Sequence, residues 1–147
     1  MSWRLDTATA ADAGALGAIL SDWTDEAEWM PRLRTRGEDA DWCRELIAAG
    51  GVRLLRGPGG IAGFAARQGT EIPALIVAAA WRGQGLGRRL LDDAKALSPG
   101  RLEAWTFQAN ARGRRFYERA GFHEAELSDG GRNEARLPDV RFVWEAA

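Results

Sequence analysis

Residues 81–97 read WRGQGLGRRLLDDAKAL, and the first half of this stretch decides how the rest of the chain is read. The eight residues from Arg82 to Arg89 hold three glycines and three arginines. Leu86, Leu90, Leu91, Ala94 and Leu97 then recur at helical spacing and make one apolar face. A glycine-rich turn that runs into a helix N-terminus is a physical device for holding an anion. The first-turn N–H groups are free, the helix dipole adds partial positive charge, and glycine lets a phosphate approach the backbone. Arg82 at the entry and Arg88 just inside the helix add full charges. The plain alternative is a turn that merely connects two elements.

Known phosphate loops narrow the choice. A P-loop needs GxxxxGK followed by Ser or Thr, and neither the Lys nor the hydroxyl residue is present. A dinucleotide fingerprint needs GxGxxG near the first strand of a βαβ unit. Here the spacing is GxGxG and a hairpin comes first, although Glu103 lies near the offset of a ribose-binding acid. The third pattern is R-x-x-G-x-G, given by Arg82, Gly85 and Gly87, five residues after Val77. Further on, residues 110–122 read NARGRRFYERAGF, which fits N-x-x-A-x-x-F-Y-x-x-x-G-F at Asn110, Phe116, Tyr117, Gly121 and Phe122, with Gly113 in place of Ala. Together the two motifs resemble those of the GNAT N-acetyltransferase superfamily, the first being its coenzyme A pyrophosphate loop. The resemblance covers Ile61 to Leu127 well. The ending DGGRNEARLPDVRFVW is similar to that of a bacterial subgroup in which Asn, Glu and Pro-Asp-Val precede the last strand.

The remaining elements follow from local signals. Trp3 to Thr7 alternates as an entry strand, Thr9 with Asp12 reads as a capping box, and Leu16, Ile19, Leu20 and Trp23 mark a first helix. Pro31 blocks a continuous helix through the polar, aromatic and basic stretch Ser21 to Gly37, a candidate mobile or ligand-facing segment. Trp42, Leu46 and Ile47 mark a second helix ending at Gly50 and Gly51. Val52–Arg56 and Ile61–Arg67 flank GPGG as a hairpin, and Glu71–Ala79 is a further apolar strand before the loop. Arg101–Phe107, the helix from Asn110 to Gly121, Phe122–Leu127 and Val140–Trp144 complete the order βααβββαβαββ. This is an α/β chain. The resemblance implies the GNAT fold, a mixed, largely antiparallel sheet of six to seven strands flanked by about four helices, in one acetyltransferase domain over 1–147.

Composition bounds the function. With 147 residues and 46% apolar content the chain fits one compact domain. The net charge of −1 leaves no global field to hold a polyanion, so nucleic acid is not an expected partner. A single cysteine, Cys43, and a single histidine, His123, leave no disulfide, no zinc cluster and no expected metal, and fit a reducing, cytoplasmic setting. The opening MSWRLDTA lacks the apolar core of a secretory signal. The run Ile72–Trp81 is half the ~20 residues that span a bilayer, so a soluble protein with no membrane partner is expected.

The resemblance implies an acetyl group moving from acetyl-CoA, a co-substrate, to a primary amine by direct attack in a ternary complex. Tyr117 is then the general acid: a phenol of pKa ~10 stays protonated at pH 7 and faces a departing thiolate of pKa ~8.5. Glu71, six residues before Val77 and so expected on the same strand face, is the first candidate for the base. A water chain held by backbone carbonyls is the alternative. Leu75 and Val77 match the positions whose backbone pairs the pantetheine arm, and Arg82, Gly83, Gln84, Gly85, Leu86, Gly87 and Arg88 match the phosphate loop. Asn110 and Tyr117, seven apart, share a helix face and can touch one extended ligand at two points, although Asn110 taken singly reads as an N-cap and Tyr117 as core. Ala79 stands where the family often has proline, which is expected to loosen the turn.

His123 and Cys43 read as structural. Arg112, Arg114, Arg115 and Arg119 read as a solvated helix face, with one or two left for an adenosine 3′-phosphate. Trp23 and Trp29 bracket DEAE, and Glu134 and Asp139 lie in the tail. Aromatics beside carboxylates suit a small cationic amine or amino-acid-like acceptor. A protein N-terminus or lysine is the next acceptor, and a CoA-binding regulatory module without turnover or a nucleotide-binding domain of another fold are the other classes. Many superfamily members dimerise, and a homodimer stays open as a partner without an apolar stripe to carry it.

Overall fold

The computed structural model describes residues 2–147. In order, the elements are β1 (Arg4–Thr7), α1 (Ala13–Glu26), α2 (Arg36–Ala49), β2 (Val52–Gly57), β3 (Gly60–Gln68), β4 (Glu71–Val77), α3 (Leu86–Leu97), β5 (Arg101–Phe107), α4 (Ala111–Arg119), β6 (His123–Ser128) and β7 (Asp139–Glu145). The order is the expected one, with seven strands and four helices among the described residues.

Local chemistry explains the boundaries. At α2 the Thr35 hydroxyl accepts from the Glu38 N–H (3.1 Å) and Glu38 Oε1 accepts from the Thr35 N–H (2.9 Å), a complete capping box. The helix stops at Gly50, whose φ of +86° is costly for any side chain. Thr9 and Asp12 cap a short 3₁₀ turn that leads into α1, rather than α1 itself, with the Asp12 carboxylate accepting the Thr9 N–H at 2.9 Å. β4 ends at Val77, two residues before the expected Ala79, because residues 79–81 tighten into a 3₁₀ turn (Trp81 N–H to Ala78 O, 2.9 Å). The turn therefore forms without proline.

The sheet runs β1-β2-β3-β4-β5-β7-β6, antiparallel throughout except between β4 and β5. On one face α1 and α2 cover Val52, Leu54, Phe64 and Ala66. On the other, α3 packs on Leu55, Ala65 and Leu75, and α4 brings Tyr117 and Ala120 against Leu102, Ala104 and Phe142. Phe64 and Phe142 are wholly buried, and truncating either to Ala costs about 3–5 kcal/mol by lost transfer energy and the cavity left behind. Among the described residues no helix is long and apolar enough to cross a membrane.

Two irregularities position the site. The parallel ladder of β4 and β5 holds the single pair Glu71↔Glu103, with the Glu103 N–H donating to Thr70 O at 2.7 Å. Beyond it the two strands diverge. The second irregularity is in β4, where Gln68↔Glu71 and Ala66↔Ala74 leave one extra residue on β4, a bulge at Ile72–Pro73. Side-chain alternation reverses there. Ile72 joins Leu75 in the cluster under α3 and α4, while Ala74 and Ile76 face α1 and α2. The expectation that Glu71 shares Val77's face is corrected by this bulge: strict period two does not survive an inserted residue.

Candidate active site

The divergence of β4 from β5 leaves backbone groups without a strand partner. In the β3–β4 ladder the Ala78 N–H donates to Ala62 O (2.8 Å), so Ala78, Ile76 and Ala74 form the hydrogen-bonded pairs with β3. Leu75 and Val77 alternate with them, and their N–H and C=O groups point toward β5. They therefore line the cleft. The Val77 carbonyl is taken by Arg82 Nε at 3.1 Å.

The loop lies at the open end of this cleft. Gly83 (φ +79°) and Gly85 (φ +77°) are both left-handed, and a Cβ on either would meet open space, so glycine is needed there for backbone conformation and not for room. Gly85 is the N-cap of α3. The Arg89 N–H closes the first helical turn onto Gly85 O at 3.1 Å. Among the described residues the N–H groups of Gly83 to Arg88 have no backbone acceptor, which makes the fan of donors an anion site requires. At Gly87 the constraint is space: a Cβ there would lie 3.2 Å from the Phe116 ring, close enough that the ring would have to shift by a few tenths of an ångström, and 3.6 Å from Val77 Cγ2. One glycine thus lets α3, the end of β4 and α4 converge.

Arg82 and Arg88 divide the charge. Arg82 reaches back to Val77 O and pairs with Glu26 at the end of α1, and Arg112 pairs with the same Glu26 oxygen at 3.2 Å. Glu26 therefore straps α1 to the loop and to the start of α4. The strap holds the Glu26 carboxyl below its ordinary value, mainly through the Arg82 hydrogen bond. Arg88 instead contacts Asp92 (3.1 Å) and Arg119 O (3.3 Å) between α3 and α4.

On α4, Asn110 is the N-cap, its Oδ1 accepting from the Gly113 N–H at 3.0 Å. A Cβ on Gly113 would come within 2.5 Å of Asn110 Nδ2, so the alanine usual in the motif would require the Asn110 amide to shift. Tyr117 is 7% exposed, packed against Phe116 and Phe122 (ring centroids 5.2 Å each) and stacked on Phe142 (5.7 Å). Burial pushes its phenol above the ordinary value, so it holds its proton at any physiological pH. Glu71 is exposed at the far end of β4, about 20 Å along the strand from Val77. Leu75, Val77, residues 82–88 and α4 are thus brought together, and Glu71 stands apart from them.

The other structural readings can be placed. Cys43 is 1% exposed, and burial together with Asp39 pushes its thiol up to about 11. His123 is exposed at the start of β6. Trp29 bridges Trp23 (5.9 Å) and Phe107 (5.5 Å), carrying the connection between α1 and α2 to the end of β5, and Arg34 pairs with Glu134 to tie it to the connection between β6 and β7. Sequence reasoning missed Glu26 as a strap, although it lies in the acidic DEAE run. It also missed Trp105, whose exposure on an otherwise half-buried strand is a tertiary fact.

A splayed parallel strand pair beside an unbonded donor loop is the framework of a coenzyme A cleft, and comparison with known proteins agrees. The family described as acetyltransferase (GNAT) domain matches residues 45–124, and the chain belongs to that acetyl-CoA-dependent acetyltransferase family. No curated protein sequence matches it. Among solved structures it is similar to apo YjaB from Escherichia coli (21% identity, all of both chains, TM-score 0.80). It is also similar to yncA from Salmonella typhimurium, solved with its cofactor acetyl-CoA (21%, all of this chain and 95% of that one, TM-score 0.74). A third neighbour is the ribosomal-protein-alanine N-acetyltransferase from Brucella melitensis (24%, 97% of this chain and 99% of that one, TM-score 0.73).

Proposed function

We propose that the protein moves the acetyl group of acetyl-CoA to the nitrogen of a small primary amine, by direct attack while both substrates are bound. The observation that carries this reading is the β4–β5 divergence, which turns the Leu75 and Val77 backbone groups into a cleft that opens at the donor loop. Leu75 and Val77 pair the pantetheine arm as a further strand would. The N–H groups of Gly83 to Arg88 take the pyrophosphate, with Arg82 beside it. Asn110 keeps its Oδ1 on the helix cap and has its amide N–H groups to offer.

The amine must shed a proton, because an alkylammonium of pKa ~10.4 has no lone pair for attack. The bulge turns Glu71 off the face of Val77, so Glu71 accepts this proton only by way of water, and the cleft carbonyl of Leu75 is where such water is held. The nitrogen bonds to the thioester carbon, the C–S bond breaks with its electron pair going to sulfur, and the second proton that the nitrogen must lose to become an amide passes through the cleft water to the thiolate, which leaves as the thiol. Tyr117 donates its hydroxyl hydrogen to that sulfur. Its raised pKa makes complete transfer uphill against a thiol of pKa ~8.5, so the phenol acts through a strong hydrogen bond as the charge develops.

The test is acetyl-CoA binding by calorimetry and free-thiol release with a panel of amines, for wild type, Gly85→Glu and Tyr117→Phe. Gly85→Glu sets an anion against the pyrophosphate and is expected to abolish binding. Tyr117→Phe is expected to bind normally and lose about 10²-fold or more in turnover. Binding without turnover on any amine would favour the regulatory module, and absence of binding would refute the cleft.

A further inference from the structure

The face of β5, β7 and β6 opposite α3 and α4 carries an open pocket of about 740 Å³ that lies apart from the donor loop. Its lining includes Trp105, Glu126, Asp129, Arg132, Asn133 and Asp139. Trp105 is 46% exposed, unusual for an indole in the middle of a central strand. Asp139 is 8% exposed, and while its Oδ2 accepts from Asn133 Nδ2 at 3.1 Å, its Oδ1 is buried and has no partner among the described residues. A buried carboxylate oxygen without a donor is costly. With Glu126 paired to Arg141 (3.3 Å), which also holds Glu103 (2.6 Å), Asp129 and Asp139 stand against Arg132 and leave the pocket with a net negative charge.

The register sets where this pocket lies relative to the cleft. Trp105 is two residues beyond Glu103, on the part of β5 that has already left β4, and Phe107↔Asp139 places the carboxylate on the adjacent strand. One strand spacing of ~4.8 Å separates β7 from β5, and the cleft lies on the other side of β5. A cation at Asp139 is thus about 7–10 Å from a nitrogen in the cleft, the span of an extended chain of about five to seven methylenes.

We propose that this pocket holds a second cationic nitrogen of the acceptor, so that the preferred substrate is a dication whose reacting amine and remote ammonium are separated by an alkyl chain lying across Trp105. The proposal rests on the amine-acetylation reading above. The remote ammonium donates to Asp139 Oδ1, an atom with no bond to give up, and the indole supplies a cation-π and apolar surface. The rim side chain of Arg132 is exposed and gives way to admit it.

The experiment compares hexane-1,6-diamine with hexylamine, first by calorimetry in the presence of coenzyme A and then by thiol release from acetyl-CoA. Wild type is expected to bind the diamine about tenfold or more tightly than the monoamine. Asp139→Asn and, independently, Trp105→Leu are expected to reduce that preference to within about threefold. Trp105→Leu guards against a general disturbance of the 129–138 connection in Asp139→Asn. Equal affinity for the two amines in wild type, or a diamine preference that survives both substitutions, overturns the proposal. Binding is read without turnover, so diamine binding with no thiol release supports the pocket and rejects acetyl transfer. Equal turnover of both amines supports transfer and rejects the pocket.

Discussion

Gly14 and Gly85 offer the sharpest test of the loop reading, because the same substitution at two equally roomy positions should act in opposite directions. A Cβ at either residue has no heavy atom within 4 Å. Gly14 lies in the first turn of α1 in ordinary helical conformation, whereas Gly85 has a φ of +77° at the N-cap of α3. Gly14→Ala removes the backbone entropy cost of glycine in a helix and should stabilise by about 0.5 kcal/mol. Gly85→Ala places a Cβ in the left-handed region and should cost about 1–2 kcal/mol. For a chain of this length each kcal/mol moves Tm by about 3–4 °C, so the two variants should melt about 5–10 °C apart. Binding adds a second reading. If the alanine of Gly85→Ala relaxes out of the left-handed region, its own N–H group and those of its neighbours turn away. Each charge-assisted hydrogen bond lost is worth about 1.5–3 kcal/mol, so Kd for acetyl-CoA should rise at least about tenfold. Scanning calorimetry with and without acetyl-CoA reads both effects, and Gly14→Ala is the control for affinity. The reasoning is wrong if Gly85→Ala melts at or above wild type, or binds acetyl-CoA with unchanged affinity.

Two further outcomes are expected. Glu26→Gln frees Arg82 and Arg112 from partly exposed pairs worth about 0.2–1 kcal/mol each, so acetyl-CoA should bind about threefold to fivefold tighter, with steeper salt dependence. Weaker binding in titration calorimetry would instead make Glu26 a positioner of Arg82. Cys43, with its thiol pushed up to about 11 and its side chain sealed, should resist a thiol reagent at pH 8, where only about 10⁻³ of such a thiol is ionised. Labelling should follow unfolding, and labelling of the folded protein at the rate of a free thiol would show that the α1–α2 layer opens.

Much of the architecture was legible because it is local. The 3.6 spacing of Leu86, Leu90, Leu91 and Ala94, the GPGG turn, the Asn110 cap and the left-handed stop at Gly50 each depend on residues a few positions apart. Arg101–Phe107 forms with the expected bounds, since alternation around Leu102, Ala104 and Thr106 is uninterrupted. The donor loop was legible for the same reason: its glycines and its helix are contiguous.

The site as a whole was not. An inserted residue at Ile72–Pro73 reverses the side-chain alternation of β4, and only the pairing with β3 reveals it, so Glu71 looked closer to the chemistry than it is. Glu26 meets Arg82 and Arg112 across 56 and 86 residues of chain, and the β5–β7 register, which pairs Trp105 with Arg141 and Phe107 with Asp139, brings Trp105 and Asp139 to one pocket.

The sequence by itself determined the element order, the glycine-rich loop that opens α3 and the family motifs, because backbone preference and periodic burial act over one or two turns. Only the tertiary structure decided that β4 parts from β5 after a single pair, that the Tyr117 ring packs among Phe116, Phe122 and Phe142, and that Asp139 keeps an oxygen without a donor among the described residues. These are consequences of which distant surfaces pack together, and no local pattern encodes them.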